Sequence, residues 1–179
     1  MNLVRRVVAR LTGMAALPGD FTGALDDQEL VLAAGESDAG SLVATNHGLW
    51  LPESGGHRRV GWHLVSKATW NAGSFVVIEA DEVDEAEGAV LLADRAARRF
   101  SLSSPGKFPQ SVQERVTSSI KSSHHRELAG GGAWFVQRKV PGRDGIVLQV
   151  RADPGTDREA LRAFAASIAS QLRRAKRPD

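Results

Sequence analysis

Between residues 29 and 102, short runs rich in β-branched, aromatic and aliphatic residues alternate with clusters of Gly, Pro, Asn, Asp and Ser. That punctuation leaves no room for a long helix and restricts this stretch to a meander of short strands. The runs are Glu29 to Ala34; Ser41 to Asn46 with Gly48 to Leu51, bent at His47-Gly48; Arg58 to Val65; Ala68 to Trp70; Ser74 to Glu79; Val90 to Ala93; and Arg98 to Leu102. Seven strands at spacings of about 8–12 residues predict an antiparallel sheet closing into a small barrel or sandwich. In the third run Val60, Trp62 and Leu64 share one face, so Trp62 is expected inside the barrel.

The flanking segments change period. Leu3, Val4, Val7, Val8, Leu11, Met14 and Ala15 fall on one face of a helix over residues 2–16, with Arg5, Arg6 and Arg10 opposite. Leu17-Pro18-Gly19-Asp20 ends it. After Ser104-Pro105-Gly106, the residues Phe108, Val112 and Val116 mark a short capping helix, with Pro109 in its first turn. Residues 119–127 are read as an extended strand, continuation of the helix being the alternative. Trp134 to Val140 and Ile146 to Val150 form strands joined at Pro141-Gly142-Arg143-Asp144-Gly145. Thr156 and Glu159 make a capping box for a last helix, whose apolar face runs from Ala160 through Leu161, Phe164, Ile168 and Leu172. The expected fold is α+β: an amphipathic helix over 1–20, a β-barrel with its cap helix over 25–118, and a three-strand plus helix unit over 119–179.

Composition narrows the function classes. A chain of 179 residues with 42% apolar and 25% charged residues can build a core without metal or disulfide. It has no Cys, which excludes thiol chemistry. A net charge of +2 gives no grip on a polyanion, so no nucleic-acid partner is expected. No apolar run is long enough to span a bilayer. Arg5-Arg6 is followed by a run broken at Arg10, Thr12 and Gly13, so no export signal is read and the expected compartment is the cytoplasm. The excess of arginine over lysine, 18 to 5, reads as the base composition of a GC-rich bacterial genome.

The stretch Leu42-Val43-Ala44-Thr45-Asn46-His47-Gly48-Leu49-Trp50-Leu51-Pro52 resembles the second and third strands of bacterial pleckstrin-homology-like (GRAM-like) domains, where a strand reads V-A-T-D-R-x-L with its turn at D-R. Arg58-Arg59-Val60-Gly61-Trp62 with Ser66-Lys67-Ala68-Thr69-Trp70 is similar to the segment that follows in an uncharacterised actinobacterial family of this type. The resemblance covers residues 25–120. It implies a small β-barrel capped by a helix and used for binding, and it assigns no functional residue. One departure concerns the loop between the first two strands, which is basic in phosphoinositide-binding members. Here it is Gly35-Glu36-Ser37-Asp38-Ala39-Gly40, with two acids and no base.

No catalytic, cofactor or metal residue is assigned, and the binding residues are left unknown. His47, His57, His63, His124 and His125 are read as surface or loop histidines. His124 and His125 are adjacent and cannot share one ion on a strand. Glu79, Asp81, Glu82, Asp84, Glu85 and Glu87 lack the spacing of a calcium loop and are read as a mobile, solvated hairpin loop. Trp50, Trp62, Trp70 and Trp134, even with Arg58, Arg59 and Lys67 nearby, are read as core and not as a base-stacking platform. Arg173, Arg174, Lys176 and Arg177 suit a helix C-terminus. The expected role is a non-enzymatic binding or adaptor protein with a protein partner. The alternative is a peripheral membrane module binding anionic lipid through the N-terminal helix, which is disfavoured because that helix is expected to pack on the barrel or on a second protomer.

Overall fold

The computed structural model describes residues 15–176. The expected N-terminal helix, with Arg5, Arg6 and Arg10, lies outside them apart from Ala15 and Ala16. Both of those are non-helical, and the Ala15 amide donates to the Val31 carbonyl. The described chain is an α+β fold with a large open sheet, not a closed barrel. It divides into two compact units, residues 15–79 with 96–118, and 80–95 with 119–176.

The first unit contains β1 (Val31–Ser37), β2 (Gly40–Thr45), β3 (Gly48–Glu53), β4 (Gly56–Gly61), β5 (Val65–Asn71), the first half of β6 (Ser74–Ala86), β8 (Arg98–Ser104) and helix α1 (Phe108–Ser119). Its strands lie in the order β4-β3-β2-β1-β8-β6-β5, all antiparallel. The segment read as one bent strand is a hairpin, with Val43 opposite Trp50. Thr45 builds its turn: the hydroxyl accepts from the His47 and Gly48 amides at 3.1 Å each. The strand read as Arg58 to Val65 ends at Gly61, and Trp62–Leu64 form a single 3-10 turn leading into β5. That turn carries the chain away from β4, so β4 and β5 do not pair and the sheet stays open at that point. Trp62 is buried as expected, but by the turn and not by strand alternation. The core joins Leu42, Leu49, Trp62, Phe75, Phe100 and Phe108. Helix α1 enters it through Phe108, whose ring meets Phe75 edge-on at 5.2 Å. On the other sheet face Leu17, Phe21 and Leu25 pack with Val31, Val43 and Trp50.

The second unit contains the end of β6, β7 (Ala89–Asp94), β9 (Ile120–Leu128), β10 (Gly131–Lys139), β11 (Ile146–Ala152) and helix α2 (Arg158–Ala175). Its strand order is β6-β7-β11-β10-β9. Val90 to Ala93 therefore belong to the second unit and not to the first, where the meander reading places them. They pair with Ala80–Ala86 and run parallel to β11. The reason is the length of β6: at 13 residues it outlasts β5 and β8, and a register shift between Glu82 and Asp84 adjusts its second half. The N-cap of α2 is Asp157, accepting from the Ala160 amide at 2.7 Å. Thr156, the expected cap, instead ties its hydroxyl to the Gly132 backbone. Phe164, Leu161, Ala165, Ile168 and Leu172 close the core over Phe135, Leu148 and Val150. Residues 120–128 are a strand, as preferred over the helical alternative.

Candidate functional site

The polar residues singled out in the sequence are mostly bound up in structural contacts. Asp26, Glu29 and His47 bring three potential metal-ligand atoms together, and Arg59 already occupies that place. Its Nη1 donates to Asp26 at 2.7 Å and to Glu29 at 2.5 Å. Glu29 is buried and also accepts from Thr45 Oγ1 at 2.6 Å and from the Trp50 indole at 2.8 Å. Burial alone raises its carboxyl, but the bonds from Thr45, Trp50 and the Asp26 amide, with Arg59 beside them, outweigh that and hold it below the ordinary value. A guanidinium in a fixed fork between two carboxylates is a structural arrangement, with the Trp50 ring 5.5 Å beneath it.

Ser41 and His57 resemble a nucleophile and base, 3.2 Å apart. The tautomer argues otherwise. The Thr22 amide donates to His57 Nδ1, so the ring proton sits on Nε2 and is directed to the Ser41 carbonyl at 3.0 Å. A protonated Nε2 cannot take the Ser41 proton. His57 is a clamp between the segment before β1 and the β2 backbone.

The acidic run is not a mobile loop. It lies mainly in β6, and most of its carboxylates have cationic partners. Buried Glu79 accepts from Arg58 at 2.8 Å, and Arg98 lies 3.5 Å from it. Both arginines also meet Glu53. Asp81 pairs with Arg95, Asp84 with Arg162 and Glu87 with Arg173. The repulsion expected between like charges is relieved because strand alternation sends neighbours to opposite faces. A cavity of about 190 Å³ beside Leu148, Leu172 and Gln137 in the second unit has Arg173 at its rim, already paired with Glu87.

The carboxyls of Asp20, Asp26, Glu29 and Glu53 all sit below their ordinary values, the first two chiefly through bonds from the Ser41 amide and from Arg59. A lowered folded value means the unfolded chain takes protons first on acidification. Their contribution is complete above about pH 4.5 and is lost as the pH falls through the folded values. The melting temperature should therefore drop steeply below about pH 4, and Glu29→Gln should make that decline shallower in a thermal titration.

What remains unpaired is a sheet edge. β5 hydrogen-bonds β6 on one side and no strand on the other among the described residues. Its hairpin has a two-residue loop, Ala72 and Gly73, with φ of 47° and 80°. Both are left-handed, as a type I′ turn requires. Such a loop makes the flanking pair, Asn71 with Ser74, a hydrogen-bonded one. Alternation then turns the N–H and C=O groups of Thr69 and Lys67 toward β6, and those of Ala68 and Trp70 outward. Ala68 and Trp70 also face the core side, opposite Val77 and Phe75. Ala68 is half-buried there, but Trp70 is 38% exposed. Lys67 is exposed on the other face.

Of the four tryptophans read as core, Trp50 and Trp62 are buried and Trp70 and Trp134 are exposed. The tight turn at Asn71-Ala72-Gly73 was visible in the sequence and fixes which amides point outward. What was missing was knowledge that no strand follows on that side. None of the protein-family models, curated proteins and solved structures compared with the chain matches it.

Proposed function

We propose that the first unit is a pleckstrin-homology-like binding module, and that the protein is a non-enzymatic adaptor that takes up an extended segment of a protein partner along β5. The resemblance implies a small β-barrel capped by a helix; antiparallel strands with one helix on their core face support that reading, although the sheet is open. The single observation that carries the function is the outward backbone of Ala68 and Trp70 beside an exposed Trp70 ring. An added strand gains main-chain bonds at those two residues, and alternate side chains read the sequence. Trp70 favours an apolar residue on one face and Lys67 an acidic one on the other. Headgroup binding at the first hairpin has no comparable support: Asp38, in the turn where a headgroup loop would lie, accepts from the Ser101 amide at 3.0 Å. The lipid alternative through the N-terminal helix falls on residues outside those described.

Ala68→Pro removes an outward N–H and leaves the ladder to β6 intact. A partner captured from cells that make the protein should co-elute with the parent and be lost from Ala68→Pro and Trp70→Ala, while Arg143→Ala, an exposed residue in the loop after β10 of the second unit, retains it. Equal capture by all variants would contradict the reading.

A further inference from the structure

The cavity of about 190 Å³ in the second unit lies where the last turns of α2 cross the ends of β10 and β11. Strand alternation from Phe135 puts Gln137 on the face that α2 covers, opposite Leu148. An apolar residue would close the core there, and the helix answers Gln137 with small Ala169. Ile146, next to Leu148 on that face of β11, is left 41% exposed. Ile146, Leu148 and Leu172 therefore wall a hollow that has one amide among them. Its volume is well below the roughly 300–1,000 Å³ of sites for drug-sized ligands, so it suits a small one.

The polar side chains at the hollow are of one kind. The Gln137 oxygen accepts from Ser122 Oγ at 3.0 Å, and no described residue accepts from its Nε2. Arg173 is held in place, donating to the Glu87 carbonyl and, at 3.1 Å, to the Glu87 carboxylate. That second bond engages the one carboxylate at the rim. Lys176 is exposed and has no acidic partner among the described residues. Lys139, paired with Ile146 in the ladder, adds another exposed cation at the same end of the sheet. The unengaged side-chain groups lining the hollow are thus donors, and the rim is positive. The C-terminal dipole of α2 opposes an anion, but with about half a charge against the whole charge on Lys176.

We propose that this hollow binds a short-chain monocarboxylate. The apolar body lies against Ile146, Leu148 and Leu172, and the carboxylate accepts from Lys176 and Gln137, the two donors without partners. An amine of the same shape finds no unengaged carboxylate and meets two cations.

Titration of the full chain with sodium hexanoate, followed by NMR of the side-chain methyls, tests this. The methyls of Ile146, Leu148 and Leu172 should shift together and saturate, with a Kd on the order of 1 mM. Hexylammonium chloride, with the same chain and the opposite charge, should leave them unmoved. Lys176→Glu, at an exposed position, should weaken hexanoate binding about fivefold. Ala169→Leu fills the hollow and should abolish binding, with a thermal melt to check that it folds. Methyls that do not saturate, equal shifts from hexylammonium, binding indifferent to Lys176→Glu, or a folded Ala169→Leu that binds as the parent does overturns the proposal.

Discussion

Trp62→Ala should destabilise the protein by about 3–5 kcal/mol, a large share of the roughly 5–15 kcal/mol that holds a domain of this size together. Trp62 is 2% exposed and sits in the 3-10 turn that separates β4 from β5. Its indole donates to the Thr45 carbonyl at 2.9 Å. Alanine leaves a cavity in the core and strips that carbonyl of its partner. Trp62→Phe keeps most of the apolar volume and loses the bond, so it should cost less, about 1–2 kcal/mol. Denaturant melts separate the two. A loss below about 1 kcal/mol for the alanine variant would mean that the turn does not hold the indole in the core.

Glu29→Ala should be comparably severe, about 3–5 kcal/mol. The carboxylate accepts from Thr45, from Trp50, from the Asp26 amide and from Arg59. Removing it strands the buried Trp50 indole, turns the Thr45 hydroxyl to the Gly48 carbonyl at 3.1 Å, and leaves Arg59 with only the exposed Asp26. Glu29→Gln retains acceptors for Thr45 and Trp50 and should lose about 1–2 kcal/mol. Urea unfolding at neutral pH should rank the variants parent, Gln, Ala. If Ala and Gln lose equally little, the cluster does not stabilise the segment before β1.

The strands were legible in the sequence because each is bounded by turn residues whose backbone preferences are local. The register of Asn71 with Ser74 and the hairpin from β10 to β11 follow from such turns. Pairing beyond a hairpin was not legible. Nothing local distinguishes a Glu79–Glu87 stretch that ends a barrel strand from one that continues into a second unit, because acids on alternating faces read as a solvated loop. Their partners, Arg58, Arg95, Arg98, Arg162 and Arg173, lie from 14 to 86 residues away or in other elements. Trp62 shows the same limit from the other side. Its burial was expected from alternation with Val60 and Leu64, yet the chain leaves the strand at Gly61 and reaches the core by a turn. The candidate site was hidden for a related reason, since an edge is defined by the strand that fails to arrive.

The most direct test of the proposed function is backbone amide exchange at β5. Extended peptides selected from a random displayed library against the whole protein supply the ligand. Their addition should slow exchange at the outward amides of Ala68 and Trp70, while Lys67 and Thr69, whose amides already face β6, change little. The same peptides should not bind Ala68→Pro. Peptides that bind without protecting Ala68 and Trp70, or that bind Ala68→Pro as well as the parent, would contradict a function carried by this edge.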